Sequence, residues 1–291
     1  MSQNIKQLIA KEYTKCAADP VHFMRKYCYI QHPTKGKILF NLFPFQEKTL
    51  KEFKEHDYNI ILKSRQLGIS TLSAGVALWH MIFKDDFNVL VIATKQDVAK
   101  NLVTKVRTMH QYLPTWLKSA AIEDNKLSLR FKNGSQVKAI SSQGDAGRSE
   151  ALSLLILDEA AFIDRIDDIW ASSQQTLATG GKAIILSTPN GVGNFFHKTW
   201  VKAEDGENDF NTIRLHWSLH PERGQEWRDK QDGLLGPKMA AQECDCDFIS
   251  SGASVVEPKT LEWYRENYAE EPVEQRGPDG GYWIWEYPDF S

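Results

Sequence analysis

The amino-acid sequence predicts an α/β fold in which helices cover both faces of a mostly parallel β-sheet. From about residue 58, short apolar segments alternate with segments of helical periodicity. Most apolar segments are continuous rather than alternating, as expected for strands that are buried on both faces. The segment 127–140 does alternate, around Asn133-Gly134, and this pattern predicts an antiparallel hairpin.

The predicted elements follow in a regular order. In residues 1–30, apolar residues recur at helical spacing, and Asp19-Pro20 predicts the end of one helix and the start of the next. The predicted strands are Tyr58–Leu62, Asn88–Ala93, Leu127–Phe131, Gln136–Ile140, Leu152–Leu157, Ala183–Ser187 and Thr212–His216. The predicted helices are Thr71–Phe83, Gln96–Tyr112, Ile166–Thr176, Asn194–Ala203, Glu222–Asp232 and Lys238–Phe248.

The composition divides the chain into three parts. Residues 1–217 form the predicted α/β core with its N-terminal helical extension, and 218–260 form a small helical linker subdomain. Residues 261–291 form a polar tail with little periodicity, which is expected to lead into a further domain. The 291 residues suffice for one large domain with a small appendage.

The charge is unevenly distributed. The chain has a net charge of −3, but residues 255–291 carry −6, which leaves about +3 on the first 254 residues. A negative net charge argues against a protein that coats nucleic acid by itself. The basic residues nevertheless cluster, which indicates either a local polyanion footprint or a solvated helix face and hairpin. These residues are Lys95, Lys100, Lys105, Arg107, Lys118, Lys126, Arg130, Lys132 and Lys138.

Membrane and secreted classes are not favoured. The longest apolar runs, such as 152–157, are far shorter than the ~20 residues that span a bilayer, and no N-terminal segment resembles a secretory signal. The cysteines have the spacing of neither a disulfide framework nor a zinc site. They are Cys16, Cys28, Cys244 and Cys246. We therefore expect a cytosolic protein without a membrane partner.

The segment 60–71 runs from a predicted strand through a loop into a helix, as phosphate-binding P-loops do. In the pattern G-x-x-x-x-G-K-[ST], backbone N–H groups hold phosphate oxygens, lysine reaches the β- and γ-phosphates, and the hydroxyl binds Mg²⁺. Here Gly68 is the second glycine, Ile69 stands in place of the lysine, and Ser70 supplies the hydroxyl. The loop therefore departs from the pattern at its cation.

Two other residues could supply that cation. The position of the positive charge matters more than the backbone site from which it comes. Lys63 stands at the start of the loop, and its side chain is long enough to cross the phosphates from the other side. Arg65, inside the loop, is a second candidate, and Thr71 could substitute for the neighbouring hydroxyl. The alternative is that both cations face solvent at the end of a strand.

An apolar strand, 154–157, ends in Asp158 and Glu159, which is the form of a Walker B motif. A buried strand would bring Asp158 to its carboxyl end, where the carboxylate can meet Mg²⁺ through water. Glu159 could then polarise the attacking water as general base. Acids at a helix N-terminus would also explain the pair, but the P-loop upstream favours a nucleotide site. The predicted nucleotide-binding residues are Gln46, Lys63, Ser64, Arg65, Gln66, Leu67, Gly68, Ile69, Ser70, Thr71 and Asp158, with Ser70 and Asp158 as metal ligands.

Three further segments complete the predicted site. One segment ends a predicted strand and continues beyond it, at the sheet edge where ligands bind: Ser187, Thr188, Pro189 and Asn190. These residues could sense the γ-phosphate, and a plain turn is the alternative. Arg148, in a glycine-flanked loop, could act as an arginine finger on a neighbouring subunit or could be a basic loop residue without a role. The amide of Gln46 could read the edge of adenine.

Taken in chain order, these residues resemble the ATPase domain of the large terminase subunit of tailed bacteriophages, the DNA-packaging motor subunit. The resemblance covers roughly residues 15–255. It rests on Phe45-Gln46, the loop 63–71, Gly147-Arg148, the segment 157–163 and the segment 187–191. It implies a P-loop NTPase fold of the ASCE or RecA-like type, with a mostly parallel sheet flanked by helices and a small helical linker at the C-terminus.

The resemblance also implies residue roles. Terminases are known for a lysine at the start of the loop, so Lys63 would be a working variant. Gln46 would read adenine, Asp158 would serve Mg²⁺, and Glu159 would serve the catalytic water. Ser187–Asn190 would form the coupling motif that links hydrolysis to movement. Arg148 acting in trans is the favoured arginine finger, and Arg65 acting in cis is the alternative.

The implied substrate is ATP with Mg²⁺. The implied partners are double-stranded DNA, the portal protein of the procapsid, the small terminase subunit and further copies of this chain in a ring, which the family suggests is a pentamer. The implied location is the host cytoplasm, without retention in the mature virion. Family members usually continue into a nuclease domain with acidic metal ligands. Residues after 260 provide no such set, so nuclease activity is not expected of this chain.

Two other functions remain open. A superfamily 2 helicase-like DNA translocase would need a second RecA-like lobe, for which 291 residues leave no room. A nucleotide-binding assembly adaptor that does not hydrolyse ATP would treat Ile69 as a real loss of the lysine.

Overall fold

The computed structural model describes residues 3–141, 151–178 and 180–251, together with 263, 267–268, 274–276 and 282–284. The chain forms two compact units, Met1–Ser251 and Gly252–Ser291. Residues 218–251 of the predicted linker, 218–260, belong to the first unit by their contacts. The predicted tail, 261–291, lies almost wholly outside the described residues.

The helices and strands of the first unit alternate through most of its length. The helices are α1 (Gln3–Ala18), α2 (Pro20–Tyr27), α3 (Pro44–Glu55), α4 (Ile69–Phe83), α5 (Gln96–Gln111), α6 (Ile166–Leu177), α7 (Phe195–Glu204), α8 (Gln225–Leu235), α9 (Pro237–Cys244) and α10 (Phe248–Ser251). The strands are β1 (Tyr29–His32), β2 (Gly36–Leu39), β3 (Tyr58–Lys63), β4 (Asn88–Ala93), β5 (Ala121–Asp124), β6 (Ser128–Phe131), β7 (Gln136–Ser141), β8 (Leu154–Asp158), β9 (Lys182–Ser187) and β10 (Asn211–Leu215). In the second unit, β11 (Glu274–Arg276) pairs antiparallel with β12 (Tyr282–Ile284).

The central sheet has the strand order β10-β3-β9-β8-β4-β7-β6-β5. The strands from β10 to β7 are parallel to their neighbours, whereas β6 and β5 are antiparallel. The predicted hairpin is therefore present, with its turn at Asn133-Gly134 between β6 and β7. The predicted α/β fold with a mostly parallel sheet is confirmed.

Alternate residues of each strand enter cores on opposite faces of the sheet. Ile61 of β3 packs into a core with α4 and α5, whereas Ile60 and Leu62 pack into a second core with α6 and α7. All three side chains are at most 1% exposed. Burial on both faces explains why these strands are continuous apolar runs in the sequence.

The strands β1, β2 and β5 and the helix α3 were not singled out in the sequence. The hairpin of β1 and β2 is only partly buried, so it lacks a strong apolar pattern. β5 is exposed at every residue and lies at the edge of the sheet. Helix α3 begins at Pro44, a residue suited to a first turn, and buries Phe45, Leu50 and Phe53. It packs beside β3 and α4 and thereby brings its N-terminus to the loop before α4.

Candidate active site

The loop between β3 and α4 forms a tight cradle. Gly68 caps α4 with a φ of 75°, in the left-handed region that glycine adopts without steric cost. A Cβ at this position would lie 2.7 Å from the side-chain nitrogen of Gln46. Gln66 also has a positive φ, of 59°, although it is not a glycine. The turn therefore depends on Gly68 and on contacts that hold Gln66.

The loop divides its backbone N–H groups between the protein and the cradle. Ser64 donates to the carbonyl of Leu215 at 2.8 Å, and Arg65 donates to the carbonyl of Glu243 at 2.7 Å. Among the described residues, no acceptor lies within hydrogen-bond reach of the N–H groups of residues 66–71. These groups also stand at the N-terminus of α4, where the helix dipole favours an anion. The backbone thus suits a phosphate.

The cation at the site comes from the start of the loop. Ile69, in the usual place of the lysine, is 1% exposed and packs into the core. Lys63 is also buried, at 4% exposed, but its ammonium is directed into the site, with Nζ 3.0 Å from Oε1 of Glu159. The structure therefore brings the predicted cation and the predicted general base into one ion pair.

Asp158 lies at the end of β8 and is 5% exposed. Its Oδ1 atom has no hydrogen-bond partner among the described residues. Burial raises the pKa of this carboxyl group, and Glu159 adds to the effect, whereas Lys63, a hydrogen bond with Ser70 and Lys105 oppose it. An unsatisfied buried carboxylate oxygen beside a hydroxyl is the hard oxygen donor set that Mg²⁺ prefers. The predicted metal ligands therefore fit this ion.

Glu159 adopts an uncommon backbone conformation, with φ 56° and ψ 46°. A left-handed conformation costs a non-glycine residue about 1–3 kcal/mol and persists only when its surroundings hold it. The Glu159 side chain is 33% exposed, so its carboxylate can meet a water molecule. Directly after it, the chain enters a short 3₁₀ turn, Ala160–Phe162.

The predicted coupling residues hold this turn. Ser187 accepts a hydrogen bond from the N–H of Ala161 at 3.1 Å, and the amide of Asn190 donates to the carbonyl of Ala161 at 3.1 Å. Thr188, at 2% exposed, and Pro189 are buried between them. Ser187 ends β9, which lies between β3 and β8 in the sheet, and the other three residues follow it. They are therefore mechanically connected to Glu159 through the short turn that follows it.

Gln46 is bonded to the cradle rather than free. It is 2% exposed, its Oε1 accepts from the N–H of Phe43 at 3.0 Å, and its Nε2 donates to the carbonyl of Leu67 at 2.9 Å. The residue thus connects the N-terminus of α3 to the P-loop. Its predicted role in reading adenine stays a prediction.

The structure describes one of the two candidate arginines. The side chain of Arg65 is 65% exposed and forms an ion pair with Glu243 at 3.3 Å. Arg148, with the rest of the loop 142–150, lies outside the described residues. The choice between a finger in cis and one in trans stays a prediction.

The sequence did not single out Lys105 as a site residue. Burial lowers the pKa of its ammonium, Asp158 raises it and Lys63 lowers it, so Lys105 lies within electrostatic reach of both. It is carried by α5, which follows β4, and β4 is hydrogen-bonded to β8. In the sequence Lys105 is one of several clustered basic residues, and nothing in that pattern indicates that it lies near Asp158 and Lys63.

Comparison with known proteins identifies the family. The model of the T4likevirus-type terminase large subunit, N-terminal domain, matches residues 60–261, which is more than half of the chain. The chain belongs to this terminase family. The terminase resemblance drawn from the sequence is thereby confirmed.

Several relatives of this terminase chain share a quarter of its residues or fewer over the matched region. A probable terminase large subunit, gp28 of Escherichia phage Mu, is 25% identical over 176 residues, which are 53% of this chain and 30% of that protein. The large terminase ATPase domain of Thermus phage P74-26 has a TM-score of 0.55 and 23% identity, covering 67% of this chain and 89% of that one. The large terminase of a thermophilic bacteriophage, in complex with ADP, has a TM-score of 0.59 and 12% identity, covering 72% of this chain and 54% of that one. At these identities the solved structures show that the terminase fold is shared.

Proposed function

We propose that this terminase domain binds Mg²⁺-ATP and hydrolyses it to drive double-stranded DNA into a procapsid. The observation that carries the proposal is the Lys63–Glu159 ion pair, 3.0 Å long, beside the buried Asp158 and at the mouth of the P-loop. The solved terminase of the thermophilic bacteriophage, which shares the fold, is a complex with ADP, and this supports a nucleotide in the same place.

The P-loop binds the phosphates. The N–H groups of residues 66–71 are available to phosphate oxygens, and the α4 dipole adds a favourable field. Ser70 and the unsatisfied Oδ1 of Asp158 would hold Mg²⁺, which neutralises charge on the phosphates when bound. Gln46 keeps the loop in place from α3 through its bond to the Leu67 carbonyl.

Lys63 and Glu159 form a switch in this proposal. While they are paired, the lysine ammonium occupies the carboxylate, which is then not available to the attacking water. A γ-phosphate entering the cradle offers Lys63 a more highly charged partner. The Glu159 carboxylate is then free to take a proton from the attacking water. Ser187 and Asn190 keep the strained Glu159 turn in position through Ala161.

An arginine completes the site in the assembled motor. We propose Arg148, supplied by a neighbouring subunit of a homo-oligomeric ring, because the Arg65 side chain is engaged with Glu243. An arginine in trans would make hydrolysis depend on assembly. An isolated domain would then turn over ATP slowly.

The further partners are proposed from the family. They are the portal protein of the procapsid, the small terminase subunit and further copies of this chain, all in the host cytoplasm. The chain spans 30% of the Mu protein and 54% of the ADP-bound terminase, so the activity of the whole terminase is a proposal for this chain. In the described part of the chain, no helix has the length and apolar character needed to cross a membrane.

Phosphate release, measured with and without DNA and procapsids, tests the function. We expect release that depends on Mg²⁺ and increases with both partners. Lys63→Ala should lose nucleotide binding and turnover, whereas Lys48→Ala, at an exposed position of α3, should lose neither. Flat release under every condition, with binding intact, would support the non-hydrolysing adaptor instead.

A further inference from the structure

A side chain from the linker contacts the outer side of the P-loop. The guanidinium of Arg223 donates from Nη1 to the carbonyl of Arg65 at 3.0 Å and from Nη2 to the carbonyl of Gln66 at 3.1 Å. The two bonds therefore reach consecutive peptide groups of the loop. Arg223 is not one of the residues of the proposed phosphate, metal or water-activating groups.

The guanidinium is itself held in place. It lies over the ring of Trp227 in α8, 4.3 Å from the ring centroid, and Trp227 packs on Trp217 at 6.0 Å. Trp217 is 8% exposed and donates its indole N–H to Asp245 at 3.1 Å. Stacking on an aromatic face restricts a planar guanidinium, so less freedom is lost when it forms its hydrogen bonds. Arg223 is thus a fixed donor and not a mobile surface cation.

The two bonds determine where the loop N–H groups point. In a trans peptide, the carbonyl of one residue and the N–H of the next lie in one plane and point in opposite directions. The described chain contains no cis peptide bond. Because Arg223 holds the carbonyls of Arg65 and Gln66 from outside, the N–H groups of Gln66 and Leu67 are turned to the inner side. Gln46 donates to the carbonyl of Leu67 and thereby turns the N–H group of Gly68 to the inner side as well.

The loop needs such support. Gln66 has a φ of 59°, a left-handed conformation that costs a side-chain-bearing residue about 1–2 kcal/mol. Without an outer donor, the peptides on either side of Gln66 would be free to rotate toward more favourable angles, and their N–H groups would leave the cradle. The segment that leads into α8 therefore supplies the outer hydrogen-bond donor that holds these two peptide groups of the loop.

We propose that Arg223 is a positioning residue for the phosphates of the nucleotide: it holds three successive inward N–H groups together with Gln46, and it makes nucleotide affinity depend on the linker. This inference rests on the proposed function, in which the loop at 63–71 binds nucleotide phosphates. Arg223 does not touch the substrate. Its removal should therefore raise KM far more than it lowers kcat at saturating ATP.

Nucleotide binding by variants at residue 223 tests the proposal. We would measure the Kd of a fluorescent ADP analogue with Mg²⁺ for the full chain and for Arg223→Ala, Arg223→Lys and Arg130→Ala. A hydrogen bond to a charged group contributes about 1.5–3 kcal/mol, so loss of the pair should weaken binding about tenfold or more. Lysine keeps the positive charge on a single nitrogen without the planar fork, so its affinity should lie between those of wild type and alanine. Arg130 is exposed on β6, and its variant should bind as wild type does.

Hydrogen exchange separates positioning from a general loss of structure. With Mg²⁺-ADP at saturating concentration, the amides of residues 66–68, which find no acceptor among the described residues, should exchange faster in Arg223→Ala than in wild type, while those of β3 and β9 should be unchanged. Wild-type affinity in Arg223→Ala, with wild type itself binding, would overturn the inference and leave the proposed function intact. Failure of wild type to bind would instead remove the proposed function. Where the alanine variant does not fold, wild-type affinity in Arg223→Lys would equally overturn the inference.

Discussion

Replacing Glu159 by glutamine separates the two halves of the proposed switch. The change keeps the size of the side chain and removes its charge, so Lys63 loses its ion-pair partner at 3.0 Å. It also removes the general base. We expect a variant that binds ATP at least as tightly as wild type and does not turn it over, because Lys63 no longer has to leave a carboxylate to reach the phosphate.

The magnitudes follow from burial. Lys63 is 4% exposed, and replacing the charged partner of a buried ammonium by a neutral amide oxygen costs about 1–3 kcal/mol. The Glu159 side chain is 33% exposed, so water compensates in part and we expect about 1–2 kcal/mol. For a domain of this size, that is a melting temperature lower by roughly 2–8 °C without nucleotide. The loss of a positioned base should lower kcat by about 10²–10⁴-fold.

The assay combines three measurements on one preparation. Thermal melting without and with Mg²⁺-ATP reports the stability lost with the charge of the Lys63 partner and its recovery when phosphate binds. Binding of a fluorescent nucleotide reports affinity, and phosphate release reports turnover. Glu55→Gln, at an exposed position at the end of α3, is the matched control and should behave as wild type does in all three.

Two results would refute the reasoning at different points. Unchanged turnover in Glu159→Gln would remove this residue as the general base. Weaker ATP binding than in wild type, with turnover lost, would show that the carboxylate helps to hold the nucleotide and does not compete with it for Lys63.

Three other perturbations have defined outcomes. Burial raises the pKa of Asp158, so the charged carboxylate destabilises the fold above its ordinary pKa, and this cost disappears as the pH falls. Asp158→Asn should therefore raise the melting temperature in Mg²⁺-free buffer at neutral pH while abolishing Mg²⁺-dependent nucleotide binding, and a lower melting temperature would contradict the argument. Gly68→Ala places a Cβ 2.7 Å from the side-chain nitrogen of Gln46 at a φ of 75°. The variant should lower the free energy of unfolding in urea by about 1–2 kcal/mol and weaken nucleotide binding, and a neutral effect on both would show that the loop relaxes. Burial lowers the pKa of His80 to about 3, so the fold favours the neutral ring, and the stability that this residue contributes is lost as the pH falls below 6.5. The free energy of unfolding of wild type relative to His80→Phe should drop by about 1.4 kcal/mol for each pH unit between 6.5 and 4.5, and a constant difference would exclude this cause.

Local sequence patterns were sufficient for most of the sheet and for the choice of candidate residues at its edge. Strands buried on both faces must be apolar throughout, so β3, β4, β8 and β9 were recognisable, and Asn133-Gly134 revealed the antiparallel hairpin. Exposed or half-exposed elements carry no such requirement. β1, β2 and β5 therefore left no signal strong enough to detect.

The chemistry of the site was likewise readable where it depends on residue type at short spacing. A P-loop and a carboxylate pair after a buried strand indicate a nucleotide and a metal ion whatever the surrounding structure. The sequence also showed that Ile69 cannot be the cation. It left Lys63 and Arg65 as candidates because spacing along the chain does not state where a long side chain points.

Tertiary structure decided which groups meet, because the site is assembled from segments far apart in the chain. It directs Lys63 to Glu159, sends Arg65 outward to Glu243, and brings Arg223 onto the loop carbonyls. The first of these contacts joins residues 96 positions apart and the last joins residues 158 positions apart, far beyond any local pattern. The sequence by itself thus determined the fold class and the family, and it named the residues that the proposed nucleotide site uses. The direction of each charged side chain was set only by the packing of α8, α9 and the sheet around the loop.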